Sequence, residues 1–561
     1  MKRIALFSLA LIAATSVHAS VTISNAKTKN MSCTGGVCTP TGGNANLNVG
    51  ELQTKLASSY VIVRSNAAAP DIAVADPLTW ASTHPLTLDA YQSIHVKAPV
   101  IVEGTSRLTL ITNDGGVGGD YTFNASGSGS ITFWDTASHL VINGTRYKLV
   151  KYLATLASDI AADPYGNFAL AASHDASVDG VYDNAPILTT FYGTFEGSGN
   201  TLSNLTVAVS VSQGKHGVGL FYDNRGLVRD VTLVQARMSG LNDVSGTIAA
   251  NNEGWIKHVS SLDGTVESPS LAGGLVGING GEIESSSSGG SVSIHRGGAG
   301  GGLAATNSGT ISFSDSAAAV EADAGFQASV GGITGSNTGT IEFASASGKI
   351  AGPVAGGIAG SSSGSISYCR ASGKVTVNPP GHRAAPKMAG GLVGSNFGSI
   401  AQSYASGSVS APSNDIRPAL IGGLVGSDGS GTISDSYATG SVSGNDVFAG
   451  GLVGMNHATA ITQTYATGKI DAVPQGSVGG LIGEDDSNAG SNALDYWNLD
   501  TSGISNPHQG AGNIADDPGI TGLTNLRMRA TLPDGFDPNV WGQSASINNG
   551  WPYLLANPPP Q

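Results

Sequence analysis

Apolar and small polar residues alternate over short stretches through most of this chain, and glycine, serine and asparagine break the stretches every few residues. The run Ser403-Tyr404-Ala405-Ser406-Gly407-Ser408-Val409 is echoed at Ser436 to Val442 and again at Thr464 to Ile470. Alternation of period two predicts short strands, and the Gly-Ser and Asn-Gly punctuation predicts corners between them. The pattern itself recurs. A Gly-Gly-Leu-Val-Gly block at Gly273 to Gly277 returns in related form from Gly301, Gly331, Gly356, Gly390, Gly422, Gly450 and Gly479, at intervals of 28, 30, 25, 34, 32, 28 and 29 residues. Weaker copies stand at Gly217 to Phe221 and Ser245 to Ala249. After each block come a turn and a short strand, as in Asn337-Thr338-Gly339-Thr340-Ile341 and Asn396-Phe397-Gly398-Ser399-Ile400, so each unit holds three short β segments.

A single unit of this kind cannot bury its apolar side alone. Units stacked on one another give every strand a hydrogen-bonded neighbour and fill one continuous interior with Leu, Val and Ile. The expected fold is therefore all-β, a parallel β-helix (β-solenoid) of about ten glycine-rich repeats. At one coil per unit and the usual strand spacing, the rod is about 50 Å long. The motif positions are Gly274, Leu275 and Gly277, then Gly391, Leu392 and Gly394, Gly423, Leu424 and Gly426, and Gly451, Leu452 and Gly454. Glycine is expected there to supply positive-φ corners and to let adjacent backbones approach closely.

The flanks divide the rest. Residues 1–19 carry Lys2 and Arg3, an apolar run from Ile4 to Ala14, and Val17-His18-Ala19, the order of a signal peptide cleaved before Ser20. The run is too short to cross a bilayer, which needs roughly 20 apolar residues, and no later stretch is long enough either. Residues 20–148 are β-rich, with runs at Tyr60 to Val63, Ile94 to Lys97, Pro99 to Val102, Leu108 to Ile111 and Leu140 to Ile142, and read as an irregular continuation of the solenoid. Within 149–210, Leu149 to Ala157 places apolar residues at helical spacing, predicting a short helix that ends near Asp163-Pro164 and leads into a junction before the repeats. The repeats occupy 211–484. Residues 485–561 lose the period, turn rich in Asp, Asn, Pro and Trp, and suit a cap with a proline-rich tail.

Composition narrows the function. With 81 Gly against 13 Phe and 6 Trp, ordinary globular cores are poorly supplied, which the repeat explains. The net charge is -14 with only 12% charged residues and no basic run, so a phosphate backbone would be repelled and nucleic-acid binding is excluded. Cys33 and Cys38 enclose Thr34-Gly35-Gly36-Val37, a loop suited to a disulfide in an oxidising compartment, whereas Cys369 lies inside a repeat and reads as a small buried thiol.

Candidate chemistry is sparse. Gly115-Gly116-Val117-Gly118-Gly119-Asp120 matches one nonapeptide calcium half-site, but such sites work in tandem stacks and this copy stands alone, so a glycine-rich turn is expected. Gly360-Ser361-Ser362-Ser363-Gly364 fits a nucleophile elbow without the helix that must follow it. Asp175, Asp179, Asp183, Asp223 and Asp230 are the carboxylates to weigh for sugar chemistry, and none has a helpful base or arginine cluster beside it. His216, His258, His295, His382 and His457 are scattered, without metal-ligand spacing. Tyr404, Tyr437 and Tyr465 hold equivalent repeat positions and form an aromatic ladder. Their core-type neighbours favour an inward, packing role; an outward ladder would make a sugar-binding strip.

At the Gly-Leu-x-Gly block followed by Ser-Tyr-Ala-Ser/Thr-Gly, the chain resembles the GLUG motif of filamentous-haemagglutinin-like bacterial surface proteins. Residues 165–207, with Gly193-Thr194-Phe195-Glu196-Gly197, resemble the segment that precedes such repeats. Tyr496-Trp497-Asn498, Gly535-Phe536-Asp537, Val540-Trp541 and Trp551 to Leu555 resemble the closing segment. The resemblance implies a non-enzymatic secreted or cell-surface adhesin-like protein, with no catalytic residue, cofactor or metal. Host, matrix or surface glycans or proteins would be its partners, with an outer-membrane export partner, although the asparagine-rich secretion motif of the large haemagglutinins has no counterpart here. The alternatives are a carbohydrate-active β-helix lyase or hydrolase and a passive structural exoprotein.

Overall fold

The computed structural model describes residues 19–123, 129–209, 217–240, 244–323, 327–377, 387–412, 418–457, 460–487 and 492–560; the signal-peptide reading, save its last residue, falls outside these. Short parallel strands stack coil upon coil around one interior. A ten-stranded parallel sheet runs from Phe221–Asn224 to Ile482–Asp485 and receives one strand from each of the ten units read in the sequence. A second wall carries a short strand per coil in strict register, Ile366 opposite Ile400, Ile400 opposite Ile433 and Ile433 opposite Ile461. Each coil has more strands than the three expected: residues 388–411 alone form Met388–Gly390, Val393–Asn396, Ser399–Ala401, Tyr404–Ala405 and Val409–Ala411.

The motif residues divide the work. Leu275, Leu392, Leu424 and Leu452 are wholly buried and point into the shared interior. Burying one such side chain stabilises by roughly 1.5–3 kcal/mol, whereas ordering a residue costs roughly 1–2 kcal/mol of backbone entropy, so a coil with a handful of them cannot stand alone. The glycines act differently from the expectation. None of the motif glycines has positive φ; the left-handed corner of each coil is taken instead by a larger residue, among them Ser285, Phe313, Phe343, Tyr368, Gln402 and Asp435. Glycine is required by close approach. A Cβ on Gly274 would collide with the carbonyl oxygen of Gly302, one on Gly391 with that of Gly423, one on Gly423 with that of Gly451, and one on Gly451 with that of Gly480. The last glycine of the block is confined in the same way: a Cβ at Gly394 would lie 2.6 Å from Gly360 O, one at Gly426 2.6 Å from Gly394 O, and one at Gly454 2.5 Å from Gly426 O. At Gly277 the obstacle is Val244 with the Ala250 carbonyl.

A polar column runs beside these glycines. Asn224 Nδ2 donates to Asn252 Oδ1 at 2.7 Å, Asn252 to Asn279 at 2.7 Å, Asn279 to Asn307 at 2.8 Å and Asn307 to Asn337 at 2.9 Å. All five are buried, and a fully bonded ladder removes the penalty of burying amides.

Residues 20–149 are not an irregular continuation of this stack. They form a regular parallel stack of their own, with a separate core that includes Val21, Leu47, Ile72, Leu88, Leu110 and Phe133. The chain then reverses. His139–Ile142 and Thr145–Val150 pair antiparallel across Asn143 and Gly144, both left-handed at φ 48° and 83°, as a two-residue hairpin demands. Thr145–Val150 continues parallel into Asn167–Leu170, so one sheet passes through both stacks. The alternate faces of that sheet serve different cores: Leu149, Ala169 and Ala171 belong to the first, and Val150, Phe168 and Leu170 to the second. The two stacks thus lie on opposite faces of the shared sheet.

Helices fill the starts. Helix α1, Val49–Leu56, is capped by Asn48, whose side chain accepts from Glu51 N, and buries Val49, Leu52 and Leu56 in the first core. Helix α2, Leu153–Ala162, stops ahead of Asp163-Pro164 as expected but begins later, because Leu149 and Val150 complete a strand. It buries Leu153, Leu156 and Ile160 in the second core.

The glycine columns make a sharp expectation. Gly391→Ala forces a methyl against the next coil's backbone and lowers unfolding stability by about 1–3 kcal/mol, the usual range for overpacking. Gly42→Ala, where the nearest atom to a new Cβ is 3.8 Å away, leaves the denaturation midpoint unchanged or slightly raised. Equal midpoints for the two variants would contradict the close-approach role.

Candidate functional site

The outward side chains of the second wall form columns. Thr310, Thr340, Ser365, Ser399 and Thr432 face one another coil by coil, and two residues on, across the inward isoleucine, lie Ser312, Glu342, Ser367, Ala401 and Ser434. Ser365 Oγ donates to Thr340 Oγ1 at 3.2 Å. Such a wall is flat, hydroxylated and nearly uncharged. Its chemistry is multivalent hydrogen bonding, since each hydroxyl both donates and accepts.

The tyrosine ladder takes neither predicted form. Tyr404 and Tyr437 stack at 4.7 Å with planes 3° apart, and Tyr437 and Tyr465 at 4.9 Å and 4°. Their neighbours Ala405, Ala438 and Ala466 face the interior, so the tyrosines leave the coil on its outer side, where a separate cluster of Met528, Phe536, Trp541, Trp551 and Leu554 buries them. Residues 524–557 therefore form a strap along the wall, pinned by Tyr465 Oη to Pro552 O at 2.6 Å, Tyr496 Oη to Asp534 O at 2.8 Å, Trp541 Nε1 to Asp435 Oδ1 at 3.0 Å and Asn557 Nδ2 to Cys369 O at 3.1 Å. Ahead of the strap, Trp497, lying over Gly480, joins the main core, and Leu499, Ile504 and Ile520 pack against it. A sugar strip needs open ring faces, and these are consumed by stacking and by the strap. A second ladder on the corners, Phe313, Phe343 and Tyr368, stacks at 4.9 and 4.5 Å, which closes the faces between its rings.

Charge concentrates where the two stacks meet. Arg229 Nε lies 2.5 Å from Asp230 Oδ2 and 3.6 Å from Glu196 Oε2, its Nη2 lies 3.3 Å from Asp120 Oδ1, and its guanidinium covers the Tyr121 ring at 3.9 Å. Lys257 bridges Asp120 at 3.1 Å and Glu284 at 3.5 Å, and His258 Nδ1 lies 3.3 Å from Asp230. Glu196 is fully buried, accepting from Tyr121 Oη and Ser198 N at 2.6 Å each. Burial, reinforced by Asp230 and opposed by Arg229, raises its pKa to about 8. Burial works against ionisation of Asp120 too, but Arg229 and Lys257 outweigh it and hold that carboxyl below its ordinary value. The tie is internal to the protein, and the spacing of these residues in sequence gave no sign of it.

The remaining candidates are dispersed. Cys33 and Cys38 face each other in the hairpin of Met31–Thr34 with Val37–Pro40 and are joined as a disulfide. Cys369 is buried at the position held by Ser403 one coil on, and burial pushes its thiol up to about 12. Asp120 of the glycine-rich turn is committed to the junction cations. Ser362 accepts from Asn337 Nδ2 at 3.1 Å, standing in for an asparagine of the ladder, and the strand Ala359–Ser362 leads into another strand. Asp175 accepts from Asn204, Asp179 pairs with His174 at 2.8 Å, and Asp223 pairs with Arg225 at 3.1 Å. His295 and His457 face Asp323 and Asp486, and His216 and His382 lie outside the described residues. Among the described residues no three His, Cys, Asp or Glu side chains gather as a metal-binding group, and no helix is long and apolar enough to cross a membrane.

Comparison with known proteins identifies the repeat. The family model of the GLUG motif matches residues 386–410 and 418–443, two coils of the main stack. Halomucin of Haloquadratum walsbyi is 39% identical over 89 residues, which is 16% of this chain and 1% of halomucin. A crystal structure of a "putative immunoglobulin A1 protease" from Bacteroides ovatus aligns over 73% of this chain and 93% of its own at 16% identity, with a TM-score of 0.29, too low for an argument. The motif and the solenoid fit an extracellular, surface-type protein.

The junction also sets a pH dependence. Between about 4.5 and 8 the folded chain holds a proton on Glu196 that the unfolded chain has released, so stability falls as pH rises through that window. Glu196→Gln removes this contribution, and its melting temperature relative to the parent rises steadily from pH 5 to pH 8.5. An offset that stays constant across that range would show that Glu196 is ionised throughout.

Proposed function

We propose that this protein is exported and attaches to surfaces by its solenoid walls, binding without turnover. The observation that carries the reading is the hydroxyl column Thr310, Thr340, Ser365, Ser399 and Thr432, repeated at the coil spacing on an almost uncharged wall. Single hydroxyl contacts are weak, and a row of equal contacts at fixed spacing gains by multivalency without a pocket. Polymers with their own short repeat, glycans above all, can meet such a row at several points together. The basic and apolar order of residues 1–19 supports export, and the GLUG repeats support a place outside the cell. Of the carboxylates that would serve a glycosidase or lyase, Asp175, Asp179, Asp223 and Asp230 are engaged by separate partners, which supports binding over catalysis.

The test applies the purified chain to surfaces coated with matrix proteins, mucins and polysaccharides, and follows both retention and the release of reducing ends or unsaturated products. Saturable retention with no product is expected, and Thr340→Val with Ser365→Ala and Ser399→Ala weakens it several-fold. No retention on any surface, or product formation, would overturn the proposal.

A further inference from the structure

The chain reversal leaves an open groove of about 630 Å³ beside the antiparallel hairpin, between strand Thr145–Val150, the end of helix α2 and the loop that follows it. Its size falls in the ordinary range of ligand sites, about 300–1,000 Å³. It lies on the outer side of that strand: Tyr147 and Leu149 are buried in the first core, whereas Arg146 and Lys148 are exposed.

The lining is bipolar. Arg146 Nη2 meets only the ring nitrogens of His139, at 3.0 and 3.3 Å, and among the described residues no carboxylate lies within ion-pairing distance of it. Lys148 is neutralised by Asp159 at 2.7 Å. Across the groove stand Asn167 and Asp163, the latter accepting from Tyr165 N through one oxygen at 3.2 Å. Tyr165 is backed by Tyr192, stacked at 4.9 Å, and remains 69% exposed. An uncompensated guanidinium offers a planar fork for a carboxylate or sulfate. A tyrosine ring braced from behind offers an apolar face of fixed orientation, and an amide beside a carboxylate offers partners for hydroxyls.

We propose that this groove binds an acidic sugar unit, its anionic group on Arg146 beside His139, its ring against Tyr165, and its hydroxyls toward Asn167 and Asp163. The inference rests on the attachment reading and names a ligand class for it. It places the anchoring site at the junction, on the face of the shared sheet opposite to the hydroxylated wall.

The full chain is titrated by calorimetry with an oligogalacturonate, its methyl ester and a sulfated heparin-type oligosaccharide. Binding of at least one anionic probe is expected, with the methyl ester at least tenfold weaker than the acid. Arg146→Gln and Tyr165→Ala each lower affinity at least tenfold, whereas Arg296→Gln, on the main stack, changes nothing. Arg146 and Tyr165 are exposed, so melting temperatures of the variants should match the parent, and a matching melt with undiminished affinity overturns the site. Equal binding of ester and acid overturns the ligand class. Retention on coated surfaces without binding of any anionic probe removes this inference and leaves the attachment reading standing; absence of both removes both.

Discussion

In the main stack, backbone rests directly on backbone. At the bend of each coil the carbonyl oxygen of one glycine occupies the space where the neighbouring coil's glycine would carry a side chain, from Gly274 against Gly302 through Gly451 against Gly480. This contact brings the strands on either side into hydrogen-bonding distance and sets the register that aligns the isoleucine, leucine and asparagine columns. Everything apolar in the interior depends on that alignment, because no coil holds enough Leu, Val and Ile to offset its own ordering. The shortage of Phe and Trp follows. Rings are too large for an interior filled at one narrow spacing, and they appear instead at the strap, at the corners and in the first coils, where Phe191, Phe195 and Phe221 pack together.

A different solution operates where the direction of the chain changes. Two stacks with cores on opposite faces of one sheet cannot share an interior, and the outer face of the second stack becomes the inner face of a contact. Ala169 meets this by being small, and Glu196, Arg229 and Lys257, which follow it in register, meet it by pairing with Asp120, Asp230 and Tyr121. Buried pairs of this kind add little net stability but are costly to break singly. They fix how one stack sits on the other. The same reversal opens the groove, so a break in the repetition brings together the guanidinium of Arg146 and the exposed ring of Tyr165.

The repeat was legible because it is written in glycine and leucine at a nearly constant interval, and each of the ten units became one strand of one sheet. What the glycines do was less legible. Sequence alone cannot separate a glycine needed for positive φ from one needed for close approach, and the corners proved to hold Phe313, Gln402 and Asp435 in the left-handed region. The asparagine ladder has a readable sign, since Asn224, Asn252, Asn279, Asn307 and Asn337 each stand two residues before a glycine, but Asn beside Gly reads equally well as turn chemistry alone. For the tyrosines, the core-type neighbours pointed inward, whereas the interior is taken by Ala405, Ala438 and Ala466 and the alternation of the strand turns Tyr404, Tyr437 and Tyr465 to the other face; the strap that covers them comes from about 70 to 150 residues later and has no local signal. The first stack is hard to read for a related reason: five of its fifteen strands stand out as apolar runs, but a reversal made by Asn143-Gly144 looks in sequence like any other turn.

Hydrogen exchange at the bend amides tests the central contact most directly. Leu392 N donates to Leu424 O, Leu424 N to Leu452 O and Leu452 N to Leu481 O, each at 2.8 Å, between coils and not within them. These amides should exchange only with cooperative opening of the stack, all slowed to a similar degree, and Gly423→Ala should speed them together. Fast and independent exchange at the three leucines, with protection confined to amides inside single coils, would contradict the account.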